Sequence, residues 1–129
     1  YGANDAAFLI TENKFRVSKE EFENNLSKVL AKAHEMSKNI LLINILPVVE
    51  RMNNGRNGKI RTNAYMEEYN LVLQKVAREF DLKIVDVNSV FMNAGHDKLF
   101  VEEDGLHPND EGHQLMFETI KPILSEMIG

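Results

Sequence analysis

A run of apolar residues at helical spacing begins just after residue 18. Ser18 and Glu21 have the spacing of a capping box, in which each side chain accepts a hydrogen bond from the other residue's backbone N–H. Val17 and Phe22 have the spacing of a hydrophobic staple across the same helix start. We therefore predict a helix over residues 19–37, with an apolar face made of Phe22, Leu26, Val29, Leu30 and Ala33.

The same period predicts two more helices. One covers residues 63–81, and its apolar face consists of Tyr65, Tyr69, Leu73, Val76, Ala77 and Phe80. The other begins after Pro108, where Asn109 is a typical N-cap and the two acids that follow favour the helix dipole. Pro122 lies inside this last helix and is expected to kink or interrupt it.

Two short apolar segments differ from these helices in length and in residue type. Residues 40–46, "ILLINIL", are followed by Pro47 and predict a strand buried on both faces, as in a parallel sheet. Residues 84–87 predict a second short strand. We predict a loop or a short helix over residues 6–17, and loops over residues 50–62 and 89–106.

Helices that alternate with apolar strands indicate an α/β domain with a parallel sheet and right-handed crossovers. Two complete strands cannot cover two amphipathic helices, and the chain begins at Tyr1 rather than at a methionine. We therefore expect residues 1–129 to be one incomplete domain whose first strands lie outside this chain. Its open sheet edge and apolar faces are expected to pack against that missing segment or against another chain.

Composition narrows the classes of partner. The chain has 43% hydrophobic and 27% charged residues and a net charge of −5, which argues against nucleic acid or an anionic membrane surface as the main partner. It has no cysteine, so disulfides and thiolate chemistry are excluded, but the compartment stays open between the cytoplasm and a secreted location. No apolar run approaches the roughly 18 residues that span a bilayer.

Asn4 lies in a turn that is expected to follow a strand outside this chain, and Asp104 and His107 lie in the segment after the strand at 84–87. All three are expected at the edge of the sheet where the strands end, because sites of parallel sheets form there. Asp104 can contact one nitrogen of His107 and leave the other nitrogen facing a cleft as a general base. The alternative is an ordinary helix start with a surface histidine. Asn4 can donate from its amide to an oxyanion, or it can simply form a turn after Gly2.

Other residues near this edge allow further hypotheses. A metal site could use Asp104 and His107 with Asp110 and His113, although no pair of histidines has helical ligand spacing. Val48 and Leu106 flank the expected cleft and are candidates for contact with substrate. The cations of the 50–62 loop either favour an anionic substrate or are solvated: Arg51, Arg56, Lys59 and Arg61.

The segment "GAND" at residues 2–5 and the segment "DGLHPN" at residues 104–109, followed by Gly112 and His113, resemble two sequence blocks of the SGNH or GDSL-type esterases and lipases. The resemblance covers essentially the whole chain in order. It implies a three-layer α/β/α fold with a five-stranded parallel sheet. It also implies hydrolysis of a small-molecule ester by a Ser-His-Asp triad without a cofactor or a metal.

By this resemblance His107 is the general base, Asp104 orients it, and Asn4 donates to the oxyanion. The family's nucleophilic serine belongs upstream of Asn4, where this chain has only three residues, and none of its five serines lies in a comparable motif. We therefore expect residues 1–129 to be inactive alone. The alternative is a non-catalytic α/β interaction or regulatory module derived from the same fold.

Overall fold

A computed structural model describes residues 2–129. These residues form five short strands: β1 (Phe8–Leu9), β2 (Lys14–Phe15), β3 (Leu41–Ile43), β4 (Lys59–Ile60) and β5 (Lys83–Val85). They also form four α-helices: α1 (Lys19–Met36), α2 (Asn63–Glu79), α3 (Val87–Asn93) and α4 (Asp110–Ile128). Two 3₁₀ turns, Glu50–Met52 and His96–Leu99, lie between them. No helix within residues 2–129 is both long and apolar enough to cross a bilayer.

The parallel sheet predicted from the two apolar segments is present. β3 and β5 pair in parallel, with Leu41 opposite Lys83 and Ile43 opposite Val85. The strand β3 is shorter than the predicted 40–46 and is half-buried along its whole length, so the prediction of burial on both faces was wrong. Within residues 2–129, β3 is paired along one edge, and its residues stay partly exposed because the other edge is open.

Backbone groups that follow β3 are paired with side-chain amides instead of a neighbouring strand. Asn70 of α2 accepts from the backbone N–H of Ile45 at 2.8 Å and donates to its carbonyl at 3.1 Å. Asn63, two turns earlier on the same helix, pairs with Val48 in the same way, at 2.8 and 3.1 Å. These two amides hold residues 45–48 as an extended ribbon along α2, although the strand has ended.

A small antiparallel sheet replaces parts of two predicted loops. β1 pairs with β2 and with β4, in the order β2-β1-β4. Its aromatic residues explain the pairing, because the ring centroid of Phe15 lies 5.4 Å from that of Phe8 and 4.9 Å from that of Tyr65. Asn13 adopts a left-handed conformation with φ of 53° in the turn between the first two strands. The prediction of a loop or short helix over residues 6–17 is thereby corrected.

The α1 and α2 helices form the main core with the ribbon after β3. Ser18 caps α1 by accepting from the backbone N–H of Glu21, and Thr62 caps α2 in the same way through Tyr65. Tyr69 is fully buried between the helices, and its hydroxyl donates to the carbonyl of Val17. The buried residues of this core are Ala6, Phe22, Leu26, Leu30, Ile45, Val48, Met66, Tyr69, Leu73 and Val76.

The carboxyl-terminal region is more ordered than predicted. Residues 89–106 were expected to be irregular, yet Asp86 caps α3 by accepting from the backbone N–H of Ser89. Asn109 caps α4 as predicted, by accepting from the backbone N–H of Gly112. This helix runs through Pro122 without the interruption that was considered. Pro122 is exposed, so water can satisfy the carbonyl that loses its helical partner.

Candidate active site

The Asp104–His107 turn forms a carboxylate–imidazole pair. Asp104 Oδ2 lies 2.6 Å from His107 Nδ1, and its Oδ1 accepts from the backbone N–H groups of Leu106 at 2.9 Å and His107 at 3.1 Å. The His107 side chain is 73% exposed and that of Asp104 is 40% exposed. The carboxylate is therefore fixed by the turn, while the imidazole keeps Nε2 available to the solvent side.

The charge state of Asp104 follows from these contacts. Burial by itself would raise the pKa of this carboxyl group. Hydrogen bonds from the backbone of Leu106 and from the side chain and backbone of His107 outweigh that effect, so the pKa lies below its usual value. Asp104 is thus a stable anion, suited to hold the imidazole in one orientation and to stabilise its protonated form.

Gly105 allows this turn to pack against the preceding loop. Its φ is +58°, and a Cβ built there would lie 2.7 Å from the Cβ of Val49 and 3.0 Å from that of Met52. The backbone is held on both sides, since the N–H of Gly105 donates to Val101 at 2.8 Å and its carbonyl accepts from Val49 at 2.9 Å. Any side chain at residue 105 would push the Asp104–His107 pair away from the ribbon.

Asn4 lies in the turn before β1, and its amide contacts Arg61. Arg61 Nη2 donates to Asn4 Oδ1 at 3.0 Å, and Nε donates to the carbonyl of Ala3 at 3.4 Å. Asn4 is exposed, whereas Arg61 is only 5% exposed. The oxygen of the Asn4 amide is therefore occupied on the protein side, and its Nδ2 is left to donate elsewhere.

The burial of Arg61 corrects the hypothesis that the cations of the 50–62 loop share one role. Arg51 and Arg56 are exposed, and Arg51 pairs with Asp97 at the surface. Burial lowers the pKa of Arg61, the positive charge of Arg16 lowers it further, and the negative charge of Asp104 acts in the opposite direction. A weak sign of this burial is the position of Arg61 directly before the helix cap Thr62, where a hydrophobic staple residue is usual.

Asn4 and His107 line the same cleft. Its volume is about 350 Å³, and its walls come from the end of β3, the ribbon after it and α4. Leu106 also lines the cleft, whereas Val48, which was predicted to flank it, lies in the core with 0% exposure. No serine is among the lining residues, which are Ala3, Asn4, Ile43, Asn44, Ile45, Leu46, Pro47, Leu106, His107 and Met116.

The residues considered for a metal site do not form a ligand cluster. Within residues 2–129, no three acidic, histidine or cysteine side chains are grouped so that they could hold a metal ion. Asp110 and His113 lie exposed on the first turns of α4, and the first of them favours the helix dipole. Asp104 and His107 are the pair in contact.

Comparison with known proteins identifies the family of the chain. Residues 1–115 match the model of the GDSL-like lipase/acylhydrolase family. The chain belongs to this family. The resemblance inferred from the "GAND" and "DGLHPN" segments is thereby confirmed.

Two curated relatives of this GDSL-like protein are longer than this chain. It is 25% identical over 144 residues to an uncharacterized lipoprotein, YqeF, of Bacillus subtilis strain 168, covering 94% of this chain and 58% of that protein. It is 34% identical over 93 residues to an acetylxylan esterase of Xylanibacter ruminicola, covering 72% of this chain and 18% of that protein. The chain thus spans less than two thirds of the length of both relatives.

Solved structures show the same fold. A lipase/acylhydrolase from Enterococcus faecalis has a TM-score of 0.74 at 23% identity, covering 97% of this chain and 58% of that one. An acetylxylan esterase from Geobacillus stearothermophilus has a TM-score of 0.65 at 21% identity, covering 89% of this chain and 50% of that one. The α/β fold of the SGNH hydrolases, predicted from the sequence, is confirmed by these similarities.

Proposed function

We propose that residues 1–129 supply the base, its orienting carboxylate and one oxyanion donor of a serine ester hydrolase. The observation that supports this proposal is the 2.6 Å contact of Asp104 with an exposed His107 on a cleft that Asn4 also lines. In the reaction, His107 Nε2 removes the proton of a serine hydroxyl as the oxygen attacks the ester carbonyl. Asp104 stabilises the imidazolium, and Asn4 Nδ2 donates to the developing oxyanion.

The nucleophile in this proposal comes from polypeptide outside residues 1–129. The five serines of the chain have other places in the fold: Ser18 and Ser37 flank α1, Ser27 and Ser125 lie on helices, and Ser89 donates to Asp86. The cleft has no serine among its lining residues. The chain alone is therefore expected to hydrolyse no ester, whereas a polypeptide that also supplies the serine does.

The substrate class in this proposal is a short acyl ester. Apolar side chains of Ala3, Leu46, Leu106 and Met116 line the cleft and suit a small acyl group. The relative from Xylanibacter ruminicola is named as an acetylxylan esterase, which makes acetylated xylan the first natural substrate to test.

A fluorophosphonate probe tests the assignment of the nucleophile, because it labels activated serines covalently. We expect labelling of the full gene product at a serine outside residues 1–129, and no labelling of the 129-residue chain. His107→Ala should abolish labelling and lower the rate of p-nitrophenyl acetate hydrolysis by about a thousandfold or more. A label on any of the five serines of this chain, or an active His107→Ala variant, would contradict the proposal.

A second candidate function, a non-catalytic interaction module, is favoured by the exposed face of α4. Phe117 and Ile128 are 55% and 67% exposed, and Leu124 lies between them on this face.

Under the enzyme proposal, this face packs against polypeptide outside residues 1–129. Phe117→Glu should then destabilise the full gene product but not the isolated chain. An unlabelled gene product that retains a tight protein partner through this face would favour the module.

A further inference from the structure

Arg61 is a buried cation whose hydrogen bonds go to neutral oxygens. It is 5% exposed, and none of the ion pairs formed within residues 2–129 involves it. Its guanidinium instead donates to Ala3, Asn4 and Asn53. Desolvation of an arginine costs several kcal/mol, and such charges are usually paired with a carboxylate when buried. The contacts it makes therefore need an explanation other than salt-bridge formation.

The contact with Asn4 decides which way that amide faces. A guanidinium can only donate hydrogen bonds, so the Asn4 atom that lies 3.0 Å from Nη2 is the acceptor Oδ1. The other amide atom, Nδ2, is then directed away from Arg61, and the described residues offer it no acceptor. Asn4 is exposed and lines the cleft, so without Arg61 its amide could rotate and present either atom.

A second amide connects the same guanidinium to the turn of Asp104. Arg61 Nη1 lies 3.4 Å from Asn53 Oδ1, and Asn53 Nδ2 donates to the carbonyls of Val49 at 3.0 Å and Asp104 at 3.1 Å. The backbone N–H of Arg61 also donates to the carbonyl of Asn53 at 3.0 Å. One buried pair of side chains thus spans the distance between the turn of Asn4 and the turn of Asp104.

We propose that Arg61 is a positioning residue, which fixes the Asn4 amide with Nδ2 toward the cleft and, through Asn53, holds the Asp104 turn at a set distance from it. The inference deepens the proposed function and rests on it. The positive charge behind Oδ1 also polarises the amide, so that Nδ2–H is a stronger donor when an oxyanion develops. A neutral ester in the ground state gains little from this, so the effect belongs to kcat rather than to KM.

A double-mutant cycle on the full gene product tests whether Arg61 acts through Asn4. Asn4→Ala should lower kcat for p-nitrophenyl acetate about a hundredfold. Arg61→Met should lower it about tenfold to thirtyfold, with KM within about twofold of wild type. In the double variant, kcat should fall no further than in Asn4→Ala alone, because the amide that Arg61 orients is already gone.

Two further variants keep the test decisive. Arg78→Met removes an exposed arginine on α2 and should leave kcat unchanged. If Arg61→Met does not fold, the cycle is repeated with Arg61→Lys, which keeps the charge and most of the buried stem. One ammonium group cannot serve Asn4 and Asn53 with the geometry of a guanidinium, so kcat should still fall about fivefold.

The outcomes separate this inference from the function on which it rests. Effects of the Arg61 and Asn4 substitutions that multiply in the double variant would mean that Arg61 does not act through Asn4, and the inference would be overturned while the function stands. A wild-type kcat in Arg61→Lys and Arg61→Met would have the same meaning. Full activity in His107→Ala would overturn both.

Discussion

The two sides of the candidate site are held in opposite ways. The Asp104–His107 pair lies at the surface on a glycine turn, and its geometry comes from hydrogen bonds within four consecutive residues. On the other side, the exposed Asn4 depends on Arg61, which is buried and more than fifty positions away in the chain. The contact between the proposed base and its carboxylate is thus set by local structure, whereas the orientation of the proposed oxyanion donor depends on tertiary structure.

This difference indicates which side tolerates change. Truncation of a surface residue that contacts no buried polar group leaves no such group unpaired, so its effect should be confined to chemistry. Removal of a buried polar residue leaves its partners unsatisfied and should lower stability as well. Substitutions on the Asp104 side should therefore lower activity without lowering stability, whereas substitutions on the Arg61 side should lower both.

The largest expected effect is that of Asp104→Asn on activity. The amide cannot stabilise the imidazolium and favours the wrong tautomer of His107, so kcat of the full gene product should fall by a factor on the order of 10⁴, as in serine proteases. The midpoint of urea unfolding should change little, since the side chain is 40% exposed. Glu103→Gln, an exposed neighbour in the same loop, is the matched control. A large loss of stability in Asp104→Asn would break the comparison.

Asn53→Ala should affect both stability and activity. It leaves the carbonyl of Asp104 and one guanidinium N–H of Arg61 without partners, and it removes one of the two hydrogen bonds that the carbonyl of Val49 accepts. We expect the free energy of unfolding to fall by about 2–3 kcal/mol and kcat to fall as well. Asn54→Ala, at the exposed adjacent position, serves as control in urea unfolding. Loss of activity without loss of stability would show that Asn53 is not the structural link proposed here.

Gly105→Ala tests the turn that brings the two sides together. The added Cβ meets Val49 and Met52 at 3.0 Å or less, and a φ of +58° is strained for alanine. The expected cost is about 1–3 kcal/mol of stability, with a loss of kcat as the turn shifts. Gly58→Ala has a similar positive φ but no atom within 4 Å of the new Cβ, so only the backbone term remains. Equal losses in the two variants would show that packing against the turn is unimportant.

A smaller effect is expected from the pH dependence linked to Asp104. Its pKa is lowered in the fold, so the folded state favours the anion, and this contribution to stability is complete above about pH 5 and is lost as the pH falls through the folded pKa. Because the group is partly exposed, the contribution should be under about 1 kcal/mol. The difference in unfolding free energy between wild type and Asp104→Asn should therefore shrink from pH 6 to pH 3. A constant difference would contradict the linkage.

An opposite dependence is expected on the alkaline side. Burial, and after it the nearby negative charge of Asp5, raises the pKa of Tyr69 to about 12, so the neutral phenol is the stable form in the fold. Its contribution to stability is fully present below about pH 10 and is lost as the pH rises toward 12. Tyr69→Phe should remove this dependence at a cost of about 1 kcal/mol for the lost bond to Val17. Urea unfolding at pH 8 and pH 11 measures both.

Several elements of the fold could be predicted because their signals are local. The caps Ser18 and Asn109 select their helix starts through hydrogen bonds to residues three positions away. The Asp104–His107 pair is also local, because its hydrogen bonds join residues three positions apart. The small antiparallel sheet was missed, because two-residue strands have no periodicity and are stabilised by aromatic contacts with Tyr65 on α2. The length of β3 was overestimated, because the backbone of Ile45 pairs with the side chain of Asn70 rather than with a strand.

The sequence by itself determined the helices α1, α2 and α4, the parallel pair of strands, the family and the residues of the proposed base. Each depends on short-range geometry or on a motif of consecutive residues. Only the tertiary structure decided that Arg61 is buried, that Val48 belongs to the core rather than to the cleft wall, and that Asn53 connects Arg61 to the Asp104 turn. The physical reason is that burial and the direction of an amide depend on partners distant in sequence, which no local pattern specifies.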